Sequence, residues 1–305
     1  MQMKVLVTGG AGFIGSHVVD KLIQKNCQVV IIDNLSTGLQ ENIHKAATFI
    51  QMDIRSNQLL ELFIEKRFDY VIHLAAQTMV QKSLKMPDYD CDVNILGTVN
   101  LLEACRKTNV KRVVFSSTAA VYGNVESLPI METSTTAPTS FYGLSKLTCE
   151  NYLALYNQLY GLEYIALRYA NVYGERQGDG GEGGVISIFT RKIHLGAPVV
   201  IFGDGSQTRD FIYVGDIATA NYQALLAVHG INVYNISTQT ETSVNTLIEY
   251  MRQVAGKEVS KVYEPIRDGD IYKSTLSNAA ARQNLNWNPC MPLIDGLART
   301  YNSLI

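Results

Sequence analysis

Three glycines at a spacing of three, in Thr8-Gly9-Gly10-Ala11-Gly12-Phe13-Ile14-Gly15, constrain this chain more than any other stretch. Residues 4–7 before them read as a short buried strand, and residues 13–25 after them have the apolar spacing of an amphipathic helix. The glycines therefore form a strand-turn-helix in which each has a task. Gly9 permits the tight turn, Gly12 lets the backbone approach a pyrophosphate, and Gly15 lets the helix pack closely on the strand. The helix start, with Phe13 and Ile14, would aim its free N–H groups at phosphates. A second strand over 29–32 ends in Asp33, at about the 20-residue distance where a carboxylate meets an adenosine ribose. That carboxylate would repel a 2′-phosphate, so the pattern predicts NAD rather than NADP.

The alternation then continues, with strands expected over 48–52, 70–74, 112–116 and 164–167 and helices over 58–65, over 93–107 and from Tyr142 onward. Alternating units of this length predict an α/β fold: a Rossmann-like, doubly wound parallel sheet. Ligands bind such sheets at the carboxyl ends of the strands. Polar or small residues cluster there: Asp53 with Ile54, Leu74 to Gln77 through Ala75 and Ala76, Ser116 with Ser117 and Thr118, and Asn171 after Tyr169.

Within Ser140-Phe-Tyr-Gly-Leu-Ser-Lys146, the phenol of Tyr142 and the ammonium of Lys146 stand four residues apart, on one face of a helix. A phenol ordinarily keeps its proton to about pH 10, but a cation within about 4–6 Å stabilises the phenolate. Such a tyrosine can act as a base toward an alcohol. On an unrelated helix the same spacing describes an exposed tyrosine and a solvated lysine; the surrounding dinucleotide pattern favours the base.

Several classes are excluded by composition. A net charge of −2, from 26 basic and 28 acidic residues, offers no electrostatic footprint for nucleic acid. No signal-peptide pattern and no apolar stretch of about 18 residues occurs, so a soluble cytoplasmic protein without membrane contact is expected. The five cysteines are scattered without CxxC spacing and the five histidines form no HExxH, which argues against a disulfide framework and a metal site. The segment over 93–107 is apolar on more than one stripe, through Val93, Leu96, Val99 and Leu102. Such a helix needs a second buried face, so a homodimer through the helices near 93–107 and 143–160 is expected.

From Tyr173 the texture changes. The glycine-rich run over 174–184 reads as a connector, followed by a helix over 185–194, a strand over 199–202 and helices near 217–228, 246–255 and 278–285. The expected division is a dinucleotide-binding domain over 1–170 and a smaller substrate lobe over 171–305, with about 211–235 returning to the first domain.

Taken together, these stretches resemble the extended short-chain dehydrogenase/reductase family, and within it the UDP-glucose 4-epimerases. The matching motifs are TGGAGFIGSH (8–17), DNLSTG (33–38), HLAAQ (73–77), NILGT (94–98), SSTAAVYG (116–123), YGLSK (142–146), LRYANVYG (167–174) and GDGSQTRDFIYVGD (203–216). The resemblance implies NAD as cofactor and a UDP-sugar as substrate. It implies that Gly9, Gly12, Phe13, Ile14 and Gly15 hold the pyrophosphate, and that Asp33, Asn34, Ser36 and Gly38 hold the adenosine ribose. Asp53 and Ile54 would border the adenine; Leu74, Ala75, Ala76, Gln77, Asn94, Ser116 and Tyr169 would line the rest of the cofactor. Thr118, Tyr142 and Lys146 would be the catalytic set, with Tyr142 and Lys146 also touching the cofactor. Asn171, Gly184, Val185, Phe202, Arg209, Arg267, Asp270 and Ser274 would hold the UDP-sugar together with Thr118. In the chemistry so implied, Tyr142 takes the proton of the C4 hydroxyl while hydride passes to NAD; the 4-keto sugar turns over, and hydride returns to its other face.

Related chemistries differ at identifiable positions. Nucleotide-sugar 4,6-dehydratases need an acidic pair after the threonine to expel water, where this chain has Ala119 and Ala120. Lacking a placed acid forfeits something like 10²–10⁴-fold in rate. A glucuronate 4-epimerase would keep the same core machinery and stays an alternative. A non-catalytic NAD-binding protein of this family would lose the tyrosine or the lysine, and both are present. Ser274 stands where relatives often carry a bulky tyrosine that narrows the sugar pocket, which implies room for a 2-acetamido group unless Tyr272 or the glycine-rich run fills it. Thr78 stands where some epimerases place a lysine near the cofactor.

Overall fold

The computed structural model describes residues 2–178, 184–228, 232–266 and 272–304. Its first half contains strands β1 (Lys4–Thr8), β2 (Gln28–Asp33), β3 (Thr48–Gln51), β4 (Tyr70–His73), β5 (Arg112–Thr118) and β6 (Glu163–Tyr169). Helices α1 (Phe13–Gln24), α2 (Leu59–Lys66), α3 (Val80–Lys85), α4 (Pro87–Cys91), α5 (Gly97–Lys107) and α6 (Phe141–Tyr160) lie between them. The second half adds β7 (Asn171–Tyr173), α7 (Val185–His194), β8 (Val199–Phe202), β9 (Thr208–Arg209), β10 (Phe211–Tyr213), α8 (Val214–Leu226) and β11 (Val233–Ile236). It ends with β12 (Thr242–Ser243), α9 (Val244–Ala255), β13 (Lys261–Glu264), α10 (Ala279–Asn284) and α11 (Leu293–Asn302).

Seven strands form one parallel sheet in the order β3-β2-β1-β4-β5-β6-β11, so the winding direction reverses between β1 and β4. Strand β1 is fully buried at Val5, Leu6 and Val7, as a strand covered on both faces must be. Val5 and Val7 point into a core closed by α1 and α8, and Leu6 into a second core closed by α2, α5 and α6. A third core, around Phe189, Ile201, Phe211, Leu247 and Leu297, joins α7, α9 and α11. Among the described residues, no helix is long and apolar enough to cross a membrane.

One sequence expectation needs correction. The helix expected over 93–107 begins at Gly97 and follows a π turn, Asp92–Leu96, whose hydrogen bonds span one residue more than those of an α-helix. The region over 80–91 forms the two short helices α3 and α4, broken at Met86-Pro87. The chain also returns to the sheet as β11 and closes on α11.

Candidate active site

The cap at Ser140 sets the active-site end of α6. The Ser140 Oγ accepts from the Gly143 amide at 3.1 Å, so Tyr142 stands in the first turn and Lys146 one turn on. Lys146 is 3 % exposed, and its ammonium donates to the Ser116 carbonyl at 2.8 Å. Burial pulls its pKa down to about 8, against the smaller opposing pull of Cys149, Asp90 and Glu150. Beside it Thr118 closes β5, and its Oγ1 accepts from the Ala120 amide at 3.2 Å.

Glycine geometry shapes the opposite wall. Gly9 has φ +71°, and a Cβ on it would stand 2.7 Å from the Ala75 nitrogen; a Cβ on Gly15 would stand 2.0 Å from the Gly9 carbonyl oxygen. Neither position has room for another residue. Asp33 is 7 % exposed, and its carboxylate accepts from the Ala11 amide at 3.0 Å and the Leu35 amide at 2.8 Å. Burial raises its pKa while those two amides hold it down. Asn34 donates to Asp53 at 2.8 Å, and Arg55 pairs with Asp53 at 2.8 Å, drawing that carboxyl well below its usual range.

These walls enclose one cavity of about 300 Å³ at the carboxyl end of the sheet. It is lined by Gly9, Gly12, Phe13, Ile14, Gly15, Asp33, Asn34 and Ser36 on one side, and by Asp53, Ile54, Leu74, Ala75, Ala76 and Gln77 on another. Ser116, Thr118, Tyr142, Lys146 and Tyr169 complete it.

Residues 5–237 match the family described as NAD dependent epimerase/dehydratase. The chain belongs to this family. A UDP-glucose 4-epimerase from Thermotoga maritima, solved with UDP-glucose, is 44 % identical with a TM-score of 0.96, covering 99 % of this chain and 98 % of that one. The Thermus thermophilus UDP-glucose 4-epimerase, solved with NAD, is 40 % identical with a TM-score of 0.93 over 99 % and 98 % of the two chains. A UDP-N-acetylglucosamine 4-epimerase from Methanobrevibacter ruminantium, in complex with UDP-N-acetylmuramic acid, is 37 % identical with a TM-score of 0.95 over 100 % and 99 %.

The cavity of this family member fits NAD on its own geometry. Helix α1 opens at Gly12 with no capping side chain and no acidic residue in its first turn, so nothing of the chain's own competes with an anion there. A Cβ on Gly12 would find only the Gly9 carbonyl oxygen, at 3.2 Å.

Some residues expected to hold cofactor or substrate do not line this cavity. Gly38 does not line the cavity; a Cβ there would stand 2.9 Å from both Asp33 carboxylate oxygens, so it backs that carboxylate. Asn94 is 2 % exposed and also absent from the lining, because its amide is spent on the Gln77 backbone. Asn171, Gly184, Val185, Phe202, Arg209 and Ser274 do not border this cavity. Asn171 donates to the Asp210 carbonyl at 3.3 Å, Gly184 caps α7, and Arg209 donates to the Thr208 carbonyl at 2.8 Å. Arg267 and Asp270 lie outside the described residues, as does the stretch over 179–183 of the glycine-rich run.

Sequence reasoning missed several lining residues: Met79, Lys82 and Tyr89 from the α3–α4 region, Val93 from the π turn, and Val172 and Gln177 after β7. Lys82 places its ammonium 4.4 Å from the Tyr89 ring centroid. A lysine and an aromatic residue seven positions apart across a proline carry no helical or strand signal that would have paired them.

Proposed function

We propose that this protein is an isomerase that interconverts UDP-glucose and UDP-galactose by NAD-dependent inversion at C4. The observation that carries this reading is that Tyr142, Lys146 and Thr118 border the same cavity as the glycine turn and Asp33. When bound, NAD accepts hydride from the sugar C4 and returns it. Tyr142 removes the proton of the C4 hydroxyl and later gives it back. Lys146 lowers the cost of the phenolate, because a buried ammonium beside it is poorly screened. Thr118 holds the same sugar oxygen by a hydrogen bond and so fixes its distance from the phenol. Ala119 and Ala120 offer no acid that could expel a C6 hydroxyl, so the 4-keto sugar is reduced rather than dehydrated.

Residues 1–170 act as the NAD-binding domain and 171–305 as the UDP-sugar lobe, with 211–235 returning to the first. Asn171, Val185, Arg209, Arg267 and Asp270 serve the UDP end in this reading.

N-acetylhexosamines are a second substrate class. Ser274 is small and buried, and Tyr272, which could have filled its place, is largely exposed and hydrogen-bonds Ser206 through its hydroxyl at 2.6 Å. The protein works as a cytoplasmic homodimer without nucleic-acid or membrane partners. Leu96 before α5 stays 57 % exposed, and Leu144, Tyr152, Leu155 and Leu159 form an exposed stripe at helical spacing along α6. A second copy supplies the missing face.

The test is incubation with UDP-galactose, UDP-GalNAc and UDP-galacturonate separately, without added NAD, followed by NMR. Conversion of UDP-galactose to UDP-glucose is expected. No conversion of any of the three, with NAD then added in excess, would defeat the reading.

A further inference from the structure

Behind the catalytic pair lies a buried carboxylate that the reaction as described does not use. Asp90, at the end of α4, is 1 % exposed. Its Oδ1 accepts from Gln77 Nε2 at 2.7 Å and from Asn94 Nδ2 at 3.3 Å. Its Oδ2 is buried and has no hydrogen-bond partner among the described residues. Asn94 sits in the π turn and clasps the backbone of Gln77 from both sides: its Oδ1 accepts from the Gln77 amide at 2.7 Å, and its Nδ2 donates to the Gln77 carbonyl at 3.0 Å. The same Nδ2 donates to Ser145 Oγ at 3.0 Å, and Ser145 Oγ donates to the Tyr142 carbonyl at 3.0 Å. One polar chain thus runs from Asp90 past the cavity wall to the first turn of α6.

The charges around Lys146 single out Asp90. Besides the Tyr142 phenol one turn away, the titratable groups facing that ammonium are Asp90 from α4, Cys149 and Glu150 from its own helix, and His73 from β4. Glu150 is committed to Arg168, with bonds of 3.0 and 2.6 Å. Burial pushes the Cys149 thiol up to about 11 and draws His73 down to about 3, so both are neutral near pH 7. Among the described residues, that leaves Asp90 as the one carboxylate facing Lys146 that no cation has claimed. A buried oxygen without hydrogen bonds acts on a neighbouring charge through a poorly screening medium.

We propose that Asp90 is a positioning residue for the reaction: its carboxylate is the counter-charge of Lys146 and, through Gln77 and Asn94, the pin of the cavity wall over 75–79. The first half rests on the reading of Tyr142 and Lys146 as the proton-handling pair. A carboxylate that faces the ammonium without pairing with it favours its charged form and does not draw it away from the phenol.

The substitution Asp90→Asn keeps the shape and an acceptor for Gln77 but removes the charge. With ¹³Cε-labelled lysine, the Lys146 NMR signal, assigned by its loss in Lys146→Met, is expected to titrate about one pH unit lower in Asp90→Asn. The alkaline limb of kcat/KM should move down with it. A Lys146 titration that does not move overturns the proposal whatever the activity does. A moved titration in a protein that epimerises no sugar supports the counter-charge and counts against the epimerase reading alone. Asp90→Ala, which also deletes the acceptor, should shed NAD faster on gel filtration than Asp90→Asn; equal retention overturns the pin. If Asp90→Asn does not fold, the carboxyl ¹³C signal of Asp90 in the wild-type protein must respond as Lys146 titrates, and a silent carboxyl overturns the proposal.

Discussion

The Lys146 ammonium reaches across from α6 to the Ser116 carbonyl at 2.8 Å, which ties the first turns of the helix to the carboxyl end of β5. The bond leaves the ammonium hydrogen-bonded while its charge stays available to the phenol one turn away. Replacing Lys146 by Met should lower kcat by about 10²–10⁴-fold, the usual worth of a placed proton-transfer group. NAD-loaded protein should still be recovered on gel filtration; a variant within threefold of the parent kcat would contradict the role.

The Lys146 pKa of about 8 also sets a pH dependence with a definite sign. Its folded value lies below the ordinary 10.5, so between these two values the unfolded chain binds more protons and stability rises with pH. Activity should move the other way, with kcat/KM falling as pH rises through about 8 and the ammonium is lost. Urea unfolding and initial rates from pH 7 to 10 would check both limbs.

His73 gives an acid-side counterpart. Thr98 Oγ1 donates to the Asn94 carbonyl at 2.5 Å, so the His73 Nε2–H must donate to Thr98 Oγ1 at 3.0 Å, and His73 Nδ1 accepts from the Thr8 hydroxyl at 2.7 Å. Thr8 Oγ1 already accepts from the Leu74 and Ala75 amides, each at 3.1 Å, so a second ring proton finds no acceptor there. Burial holds this histidine at about 3 against an ordinary 6.5, so stability is lost as pH falls below 6.5 and the unfolded chain takes the proton. Lowering pH from 7 to 5 should cost roughly 2 kcal/mol through this group alone, at about 1.4 kcal/mol per unit. In urea titrations His73→Gln should flatten that loss; an unchanged slope would refute it.

The Glu150–Arg168 pair is buried, with side chains 5 % and 6 % exposed, and also holds Ser117 Oγ at 2.5 Å and Tyr122 OH at 2.8 Å. Cutting one partner leaves an unpaired buried charge, so Arg168→Met should destabilise by about 3–5 kcal/mol. The double change Glu150→Leu with Arg168→Met should recover most of that loss in chemical denaturation. A double variant as unstable as the single one would show that packing, not charge, dominates.

Ser274→Tyr should remove turnover of UDP-N-acetylglucosamine while leaving that of UDP-glucose within a few fold, because added bulk excludes the acetamide first. An unchanged ratio of the two rates would show that Ser274 does not gate the sugar.

What could be read from the sequence was whatever backbone geometry forces on residue type. Gly9 and Gly15 have no room for a Cβ, Asp33 closes a strand beside the turn, and Tyr142 and Lys146 share a helix face. Each of these is a local relation within one strand-turn-helix or one helix. Lys82, Tyr89 and Gln177 reach the cavity through short helices and a loop whose placement depends on packing far along the chain. The place of Asn94 behind the cavity wall was hidden for a related reason. The π turn and the contact with Gln77 turn its amide inward, and neither has a mark in the sequence.

The most direct test of the central claim uses UDP-galactose carrying deuterium at C4. Because the same hydrogen leaves C4 as hydride and returns to it from the bound cofactor, the UDP-glucose formed in ordinary water should keep its deuterium at C4 by NMR. Product that has exchanged that deuterium for solvent hydrogen would mean proton abstraction at carbon, and would contradict the account.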